Sequence, residues 1–262
     1  MKIPYFQVDA FTERAFSGNP AGVCLIEGWL PDSALQQIAE ENNLSETAFL
    51  TGSGDSWELR WFTPTVEVDL CGHATLAAAF VIFTELGHTG TAVNFKTTSG
   101  ELGATFENGV VMLDFPSRPG QPCAAPMALI SGLSHIPHEV RRSRDYLALL
   151  GSEEEVRTLT PDFPRLAMLS DCLGIIATAR GSDVDFVSRF FAPSAGIAED
   201  PVTGSAHCTL IPYWAEKLGK QRLTARQLSR RGGTIHCELR GERVGIGGSA
   251  ALYSRAQLQI PD

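Results

Sequence analysis

Cys71-Gly72-His73-Ala74-Thr75-Leu76-Ala77-Ala78-Ala79-Phe80-Val81-Ile82-Phe83 is the stretch whose reading decides the fold. From Ala74 to Phe83 its one polar residue is Thr75. A helix that is apolar on every side is buried on every side. The stretch closes at Leu86-Gly87 and has a counterpart later in the chain. That counterpart begins Gly204-Ser205-Ala206-His207-Cys208-Thr209-Leu210-Ile211-Pro212-Tyr213-Trp214-Ala215 and closes at Leu218-Gly219.

The surroundings of the two stretches correspond as well. Phe62-Thr63-Pro64 opens nine positions before Cys71, and Phe191-Ala192-Pro193 opens nine positions before Asp200. In each copy the opening glycine precedes the closing glycine by fifteen positions, 72 to 87 and 204 to 219. Beyond the helices, Gly100 to Leu113 lines up with Gly233 to Ile246, both reading as strand, turn, strand. Landmarks in the same order at a nearly constant offset are the mark of an internal repeat. The expected fold class is therefore α+β, with two pseudo-symmetric lobes, each a mixed curved sheet wrapped around one central apolar helix. Residues 1–120, with a helix over 73–86, form lobe one. Residues 121–262, with a helix over 205–218, form lobe two, and the last strand pairs with either lobe. Pro212 lacks a backbone donor and predicts a kink or a late start in the second helix.

Ile3 to Phe11 has strand character, and the turn-rich Ser17-Gly18-Asn19-Pro20 leads into a second strand over 21–26. Pro31-Asp32-Ser33 opens a helix with Leu35, Ile38 and Ala39 on one face, capped by Asp32 or Ser33. Extended segments follow from Ser45 and over Trp57 to Phe62. The Pro-, Ala- and Ser-rich region 121–137 reads as the interlobe connection or an early part of lobe two. Strand character resumes over 145–150 and 174–179, with a short surface helix over 153–159.

Composition excludes several classes. Of 262 residues, 44% are hydrophobic and 19% charged, an ordinary globular balance. The net charge of −9 argues against a nucleic-acid phosphate footprint and an anionic membrane partner. The basic clusters Arg141-Arg142-Arg144 and Arg230-Arg231 read as solvated faces. Leu76 to Phe83, the longest apolar run, is too short to span a bilayer. The first residues show no signal-peptide pattern. The six cysteines are scattered without a C-x-x-C pair, which reads as reduced thiols in a cytosol.

Both buried helices begin at a glycine. A helix N-terminus presents free N–H groups and partial positive charge, and glycine lets a ligand approach the backbone. Gly72 on one side, and Gly204 with Ser205 on the other, thus suit a small carboxylate. Cys71 precedes the first start, and Asp200 holds the matching place before the second. A thiol at a helix start has a lowered pKa and can act as a base, yet a free cysteine is as often a small buried hydrophobe. Glu46 is an isolated acid at the head of an apolar strand. Carboxyls in apolar surroundings hold their proton to higher pH, which suits acid/base work, while an exposed strand start reads equally well. His73 has the chemistry to bind substrate or shuttle a proton, and composition alone also fits a core histidine. Glu199-Asp200 has a structural reading as a capping pair. The other histidines show no metal-ligand spacing, and there is no P-loop, dinucleotide fingerprint or nucleophile elbow.

Taken together, Asp9-Ala10-Phe11-Thr12, Phe16-Ser17-Gly18-Asn19-Pro20-Ala21-Gly22-Val23, Ser45-Glu46-Thr47-Ala48-Phe49, Cys71-Gly72-His73-Ala74-Thr75 and Glu199-Asp200-Pro201-Val202-Thr203-Gly204-Ser205-Ala206 resemble the PhzF family, named for a phenazine-biosynthesis isomerase. The resemblance spans nearly the whole chain. It implies the diaminopimelate-epimerase fold, with the site where the lobes face each other. It implies a cytoplasmic, homodimeric isomerase that uses no metal or cofactor and acts on a small carboxylate-bearing substrate. The family's catalytic glutamate falls on Glu46, its histidine on His73 and its aspartate on Asp200. Its substrate contacts fall on Gly72 and Ser205, with Cys71 and Gly204 beside them. Related two-thiol racemases carry a cysteine at each helix start, and here Asp200 replaces one of them. That departure favours proton transfer by Glu46. A racemase using Cys71 against Glu46 or Asp200, and a catalytically silent small-molecule binder, are the alternatives.

Overall fold

The computed structural model describes residues 1–260. The chain begins with β1 (Lys2–Ala10), β2 (Asn19–Leu25), α1 (Asp32–Asn42), β3 (Glu46–Ser53), β4 (Ser56–Phe62) and β5 (Glu67–Val68). Then come α2 (Gly72–Thr84), β6 (Ala92–Thr97), β7 (Gly100–Glu107), β8 (Val110–Pro116), β9 (Gln121–Pro122) and α3 (Met127–Gly132). The middle holds β10 (Glu139–Arg142), β11 (Tyr146–Leu149), α4 (Glu153–Arg157), α5 (Phe163–Leu166), β12 (Ile175–Arg180), β13 (Phe186–Ala192) and β14 (Ile197–Asp200). The last elements are α6 (Gly204–Leu218), β15 (Arg222–Gln227), β16 (Gly233–Arg240), β17 (Arg243–Gly248) and β18 (Ala250–Gln259). The chain divides into two compact units: Met1–Asp114 with the chain from Gly247 onward, and Phe115–Ile246.

In the first unit β18 lies antiparallel to β1, from Lys2 opposite Gln259 to Ala10 opposite Ala250. β1 pairs antiparallel with β2, and β2 runs parallel to β3. β3 pairs antiparallel with β4, β4 parallel with β6, and β6 antiparallel with β7. Parallel neighbours need a crossover, and α1 and α2 supply the two. α1 buries Leu35, Ile38 and Ala39 against Ile3, Tyr5, Cys24, Phe49 and Phe62. Side chains alternate along a strand, so Cys24 turned toward α1 leaves Ala21 and Val23 for the opposite face. α2 packs on β1, β2, β3, β7 and β18. Its residues Gly72 to Ala79 are all buried, which is why its sequence lacks a polar face. The expected side-chain cap of α1 is absent. Pro31 holds the cap position, and Asp32 lies in the first turn, where it accepts from Arg60 Nη2 at 2.9 Å.

The second unit contains the region 121–137. Its strands run β9–β10–β11 antiparallel, β11 parallel to β12, and β12 antiparallel to β13. β13 then runs parallel to β15, and β15 antiparallel to β16. The crossover between β13 and β15 carries α6. Trp214 of α6 stacks on Phe186 at 5.7 Å and donates from Nε1 to Thr178 Oγ1 at 3.0 Å. α6 does not start late. It runs unbroken through Pro212. A proline there leaves the Cys208 carbonyl without its intrahelical donor. The Arg118 backbone N–H fills the gap at 2.9 Å. Among the described residues no helix is long and apolar enough to cross a membrane.

His207, fully buried in α6, has Nδ1 2.8 Å from the Thr203 carbonyl oxygen. Burial drives its pKa down from 6.5 to about 4, against a smaller raising effect of that carbonyl. The folded chain therefore keeps His207 neutral where the unfolded chain protonates it. Its contribution is complete above pH 6.5 and is lost as pH falls toward 4. Urea melts at pH 7 and pH 4 should show His207→Phe losing about 3 kcal/mol less stability on acidification than the wild type. An equal loss in both proteins would refute this account of the acid sensitivity.

Candidate functional site

Three of the expected site residues meet inside the first unit. Glu46 is the first residue of β3 and lies opposite Ala21 of the parallel β2. Cys71 is the N-cap residue of α2, with extended backbone and no side-chain cap bond. His73 is the second residue of the helix and is 4% exposed. Its ring stands between the other two. Nε2 lies 3.0 Å from Glu46 Oε2, and Nδ1 lies 3.5 Å from Cys71 Sγ. The Glu46–His73 pair is close in distance but not aligned as a hydrogen bond, and neither atom has another hydrogen-bond partner among the described residues. Both are thus placed to engage a third group.

Asn19, at the start of β2 and fully buried, adds a contact the sequence reading lacks. Its Nδ2 lies 3.2 Å from His73 Nδ1. The Asn19 amide and the Cys71 thiol therefore meet the same ring nitrogen, and Nε2 is left to face Glu46. Thr75 Oγ1 donates to the Cys71 carbonyl oxygen at 2.5 Å, and Thr75 N–H donates to it at 3.1 Å, closing the first turn. The N–H groups of Gly72 and His73 precede the helical ladder and keep their positive ends outward.

Burial works against a charged His73, but the nearby Cys71 and Glu46 outweigh it and hold its pKa well above the ordinary 6.5. For Cys71, burial and the Glu46 charge push the thiol up, while His73 and the Ala74 N–H act in the opposite direction. Cys71 is thus pushed toward the thiol, the reverse of an activated thiolate, and the Glu46 carboxylate is the charge that favours protonation of His73. Glu46, Cys71 and His73 each offer one metal-ligating atom, all within 4.8 Å of one another. The thiol and the carboxylate address opposite nitrogens of one ring. An ion bound at either nitrogen would give up one of these contacts, so the arrangement fits a proton relay better than a coordination sphere.

Gly72 opens α2 beside Cys71 and His73, and the other expected residues, Asp200, Gly204 and Ser205, lie in the second unit, at the start of α6. Gly204 opens the helix, and Thr203 at the cap position makes no side-chain cap bond. Asp200 ends β14 and accepts from Thr203 Oγ1 at 2.5 Å. Gln227, fully buried, fixes the turn. It accepts from Thr203 N–H at 2.9 Å and donates to the Asp200 carbonyl oxygen at 2.8 Å. Glu199 does not cap the helix; it pairs with Arg189 at 2.7 Å. Ser205 Oγ accepts from Arg144 Nη2 at 2.9 Å. The basic cluster 141–144 is thus not simply a solvated face. Arg144 turns inward to Ser205 and to the buried Asp145, while Arg141 pairs with Glu139 at 2.6 Å and Arg142 with Asp171 at 2.8 Å. All six cysteines are free.

A family model described as phenazine biosynthesis-like protein matches residues 8–256. An uncharacterized isomerase of Pseudomonas aeruginosa is 50% identical over 99% of this chain and 100% of its own length. The crystal structure of a PhzF-family phenazine biosynthesis protein from Enterococcus faecalis superposes with a TM-score of 0.97 at 46% identity, covering 99% of this chain and 100% of that one. A hydroxyproline epimerase from Agrobacterium vitis, at 12% identity and a TM-score of 0.62 over 100% of this chain and 93% of its own, shares the fold alone.

Proposed function

Because this chain belongs to the phenazine biosynthesis-like PhzC-PhzF family, we propose that it is an isomerase that moves a proton between carbons of a small carboxylate substrate. The observation that carries the reading is the Glu46–His73 pair, 3.0 Å apart, with His73 buried and Glu46 half-buried and the facing oxygen and nitrogen in no aligned hydrogen bond. Glu46 takes a proton from a carbon next to a carbonyl or an unsaturated system and returns it to another carbon. His73 and Asp200 hold an amino or hydroxyl group and relay protons. Carboxylate recognition is assigned to the N–H groups at Gly72 and at Gly204–Ser205, where charge developing in the transition state meets fixed dipoles. Neither a metal nor a cofactor has a part in this scheme.

The test is exchange in deuterium oxide, with a panel of small unsaturated and 2-amino carboxylic acids followed by proton NMR. Entry of deuterium at carbon in the presence of the wild type supports an enzyme. Ligand binding without exchange supports the silent binder. The racemase reading draws on the contact between Cys71 and His73, and one variant separates it. Cys71→Ala should exchange within about threefold of the wild type, because a protonated thiol is not the base. A loss of about a hundredfold or more in Cys71→Ala, with an inverted stereocentre as the wild-type product, would favour the racemase.

A further inference from the structure

Arg144 lies outside the residues assigned above, and its bonding is incomplete. Of its three guanidinium nitrogens, only Nη2 has partners: Ser205 Oγ at 2.9 Å and Asp145 Oδ2 at 3.3 Å. Nε is buried and makes no hydrogen bond among the described residues. Nη1 makes none either and is not among the buried polar atoms, so it opens to solvent on a side chain that is 34% exposed. An arginine that serves only to neutralise a buried carboxylate normally presents two nitrogens to it. This one gives Asp145 a single long contact and aims the rest of the fork elsewhere.

The local charges do not cancel. Asp145 is 1% exposed and accepts the Gly174 N–H at 3.0 Å. Two guanidiniums act on it, those of Arg144 and Arg118. Arg118 is anchored beside α6 by its backbone bond to Cys208. No carboxylate lies within ion-pair distance of Arg118 among the described residues. The segment carrying Arg144 is likewise fixed to α6, through Ser143 Oγ and Thr209 Oγ1 at 2.9 Å. Asp145 thus faces two cations, beside a fifteen-residue helix whose cap residue Thr203 makes no side-chain cap bond.

We propose that Arg144 is a substrate-binding residue, taking a carboxylate at its open Nη1 with the hydroxyl of Ser205 as a further donor. Ser205 uses its oxygen as an acceptor for Arg144, so its own proton is available to donate. Arg118 adds the second positive charge. The assignment rests on the reading of Ser205 as a substrate contact and extends it. Recognition here is by a charged fork as well as by helix N–H groups, so the substrate class is an anionic carboxylate, not its amide or ester.

The experiment compares benzoate with its uncharged counterpart benzamide, by ligand-observed NMR titration of the full chain. Wild type, Arg144→Met, Arg144→Lys, Arg118→Met and Glu46→Gln are titrated, and each is melted thermally. Wild type should bind benzoate about tenfold or more tighter than benzamide. Arg144→Met should lose that preference while still binding benzamide, Arg144→Lys should keep part of it, and Arg118→Met should weaken it. A purely structural arginine would lower the melting temperature and weaken both ligands alike, which overturns the assignment. So would an unchanged preference in Arg144→Met, or no preference in the wild type. If Arg144→Met does not fold, Arg144→Lys and Arg118→Met decide in the same way. Proton exchange at the wild-type rate in Glu46→Gln would sink the Glu46 mechanism and leave the anion site standing, whereas exchange lost in Glu46→Gln with an unchanged benzoate preference in Arg144→Met would do the reverse.

Discussion

Glu46→Gln is expected to slow entry of solvent deuterium at substrate carbon by about a thousandfold, equivalent to about 4 kcal/mol of transition-state stabilisation. The substitution keeps size and shape, so β3 and its pairing with β2 should persist. What it removes is a group that both accepts and returns a proton, and an amide does neither at neutral pH. The variant should still bind carboxylates, because their recognition is assigned to other residues. The loss should therefore fall on kcat, with KM little changed, the pattern for an interaction made in the transition state. The melting temperature controls for folding, and the buried pair with His73 makes a small downward shift reasonable. A Glu46→Gln protein that exchanges within tenfold of the wild type would remove Glu46 from the chemistry.

The two central helices were legible because their burial is written in every residue. α2 has no polar face to hide, and its glycine start and its cysteine neighbour stand out in one line of sequence. Glu46 was legible for a similar local reason, as a charge at the head of an apolar strand. What escaped was tertiary. Asn19 reads locally as a turn residue in Ser17-Gly18-Asn19-Pro20, yet it begins β2 and reaches a histidine 54 positions away. Arg144 reads as one of a cluster of surface cations, yet it bonds to Ser205, 61 positions on. Gln227 fixes the turn before α6 from 24 positions downstream, and nothing in its own strand marks it. Pro212 shows the complementary case. The rule about helix interiors is correct, but the orphaned carbonyl found its donor in the Arg118 backbone, which lies far away in sequence. Local chemistry thus names the candidate groups, and long-range hydrogen bonds decide how they are held.

His73→Gln carries the second large expected effect, a fall of about a hundredfold in the same exchange rate. The glutamine can still hydrogen-bond but cannot carry charge. In the wild type the imidazole stands between the Cys71 thiol and the Glu46 carboxylate, and their influence keeps it cationic well above pH 6.5 despite burial. Because this pKa is raised on folding, the stability His73 contributes is present below pH 6.5 and is lost as pH climbs through the raised value. Activity that depends on the imidazolium should decline over the same alkaline range. In His73→Gln that limb of the pH–rate profile should vanish, leaving a lower, flatter rate. Stability should follow: the wild type should lose its advantage over the variant as the pH is raised. Removing the cation also removes one influence that lowers the Cys71 pKa, so the thiol should react still more slowly with iodoacetamide in the variant. If the thiol instead reacted faster, with the alkaline limb intact, the charge on His73 would have no part in ordering this triad, and its place beside Glu46 would be a matter of packing alone.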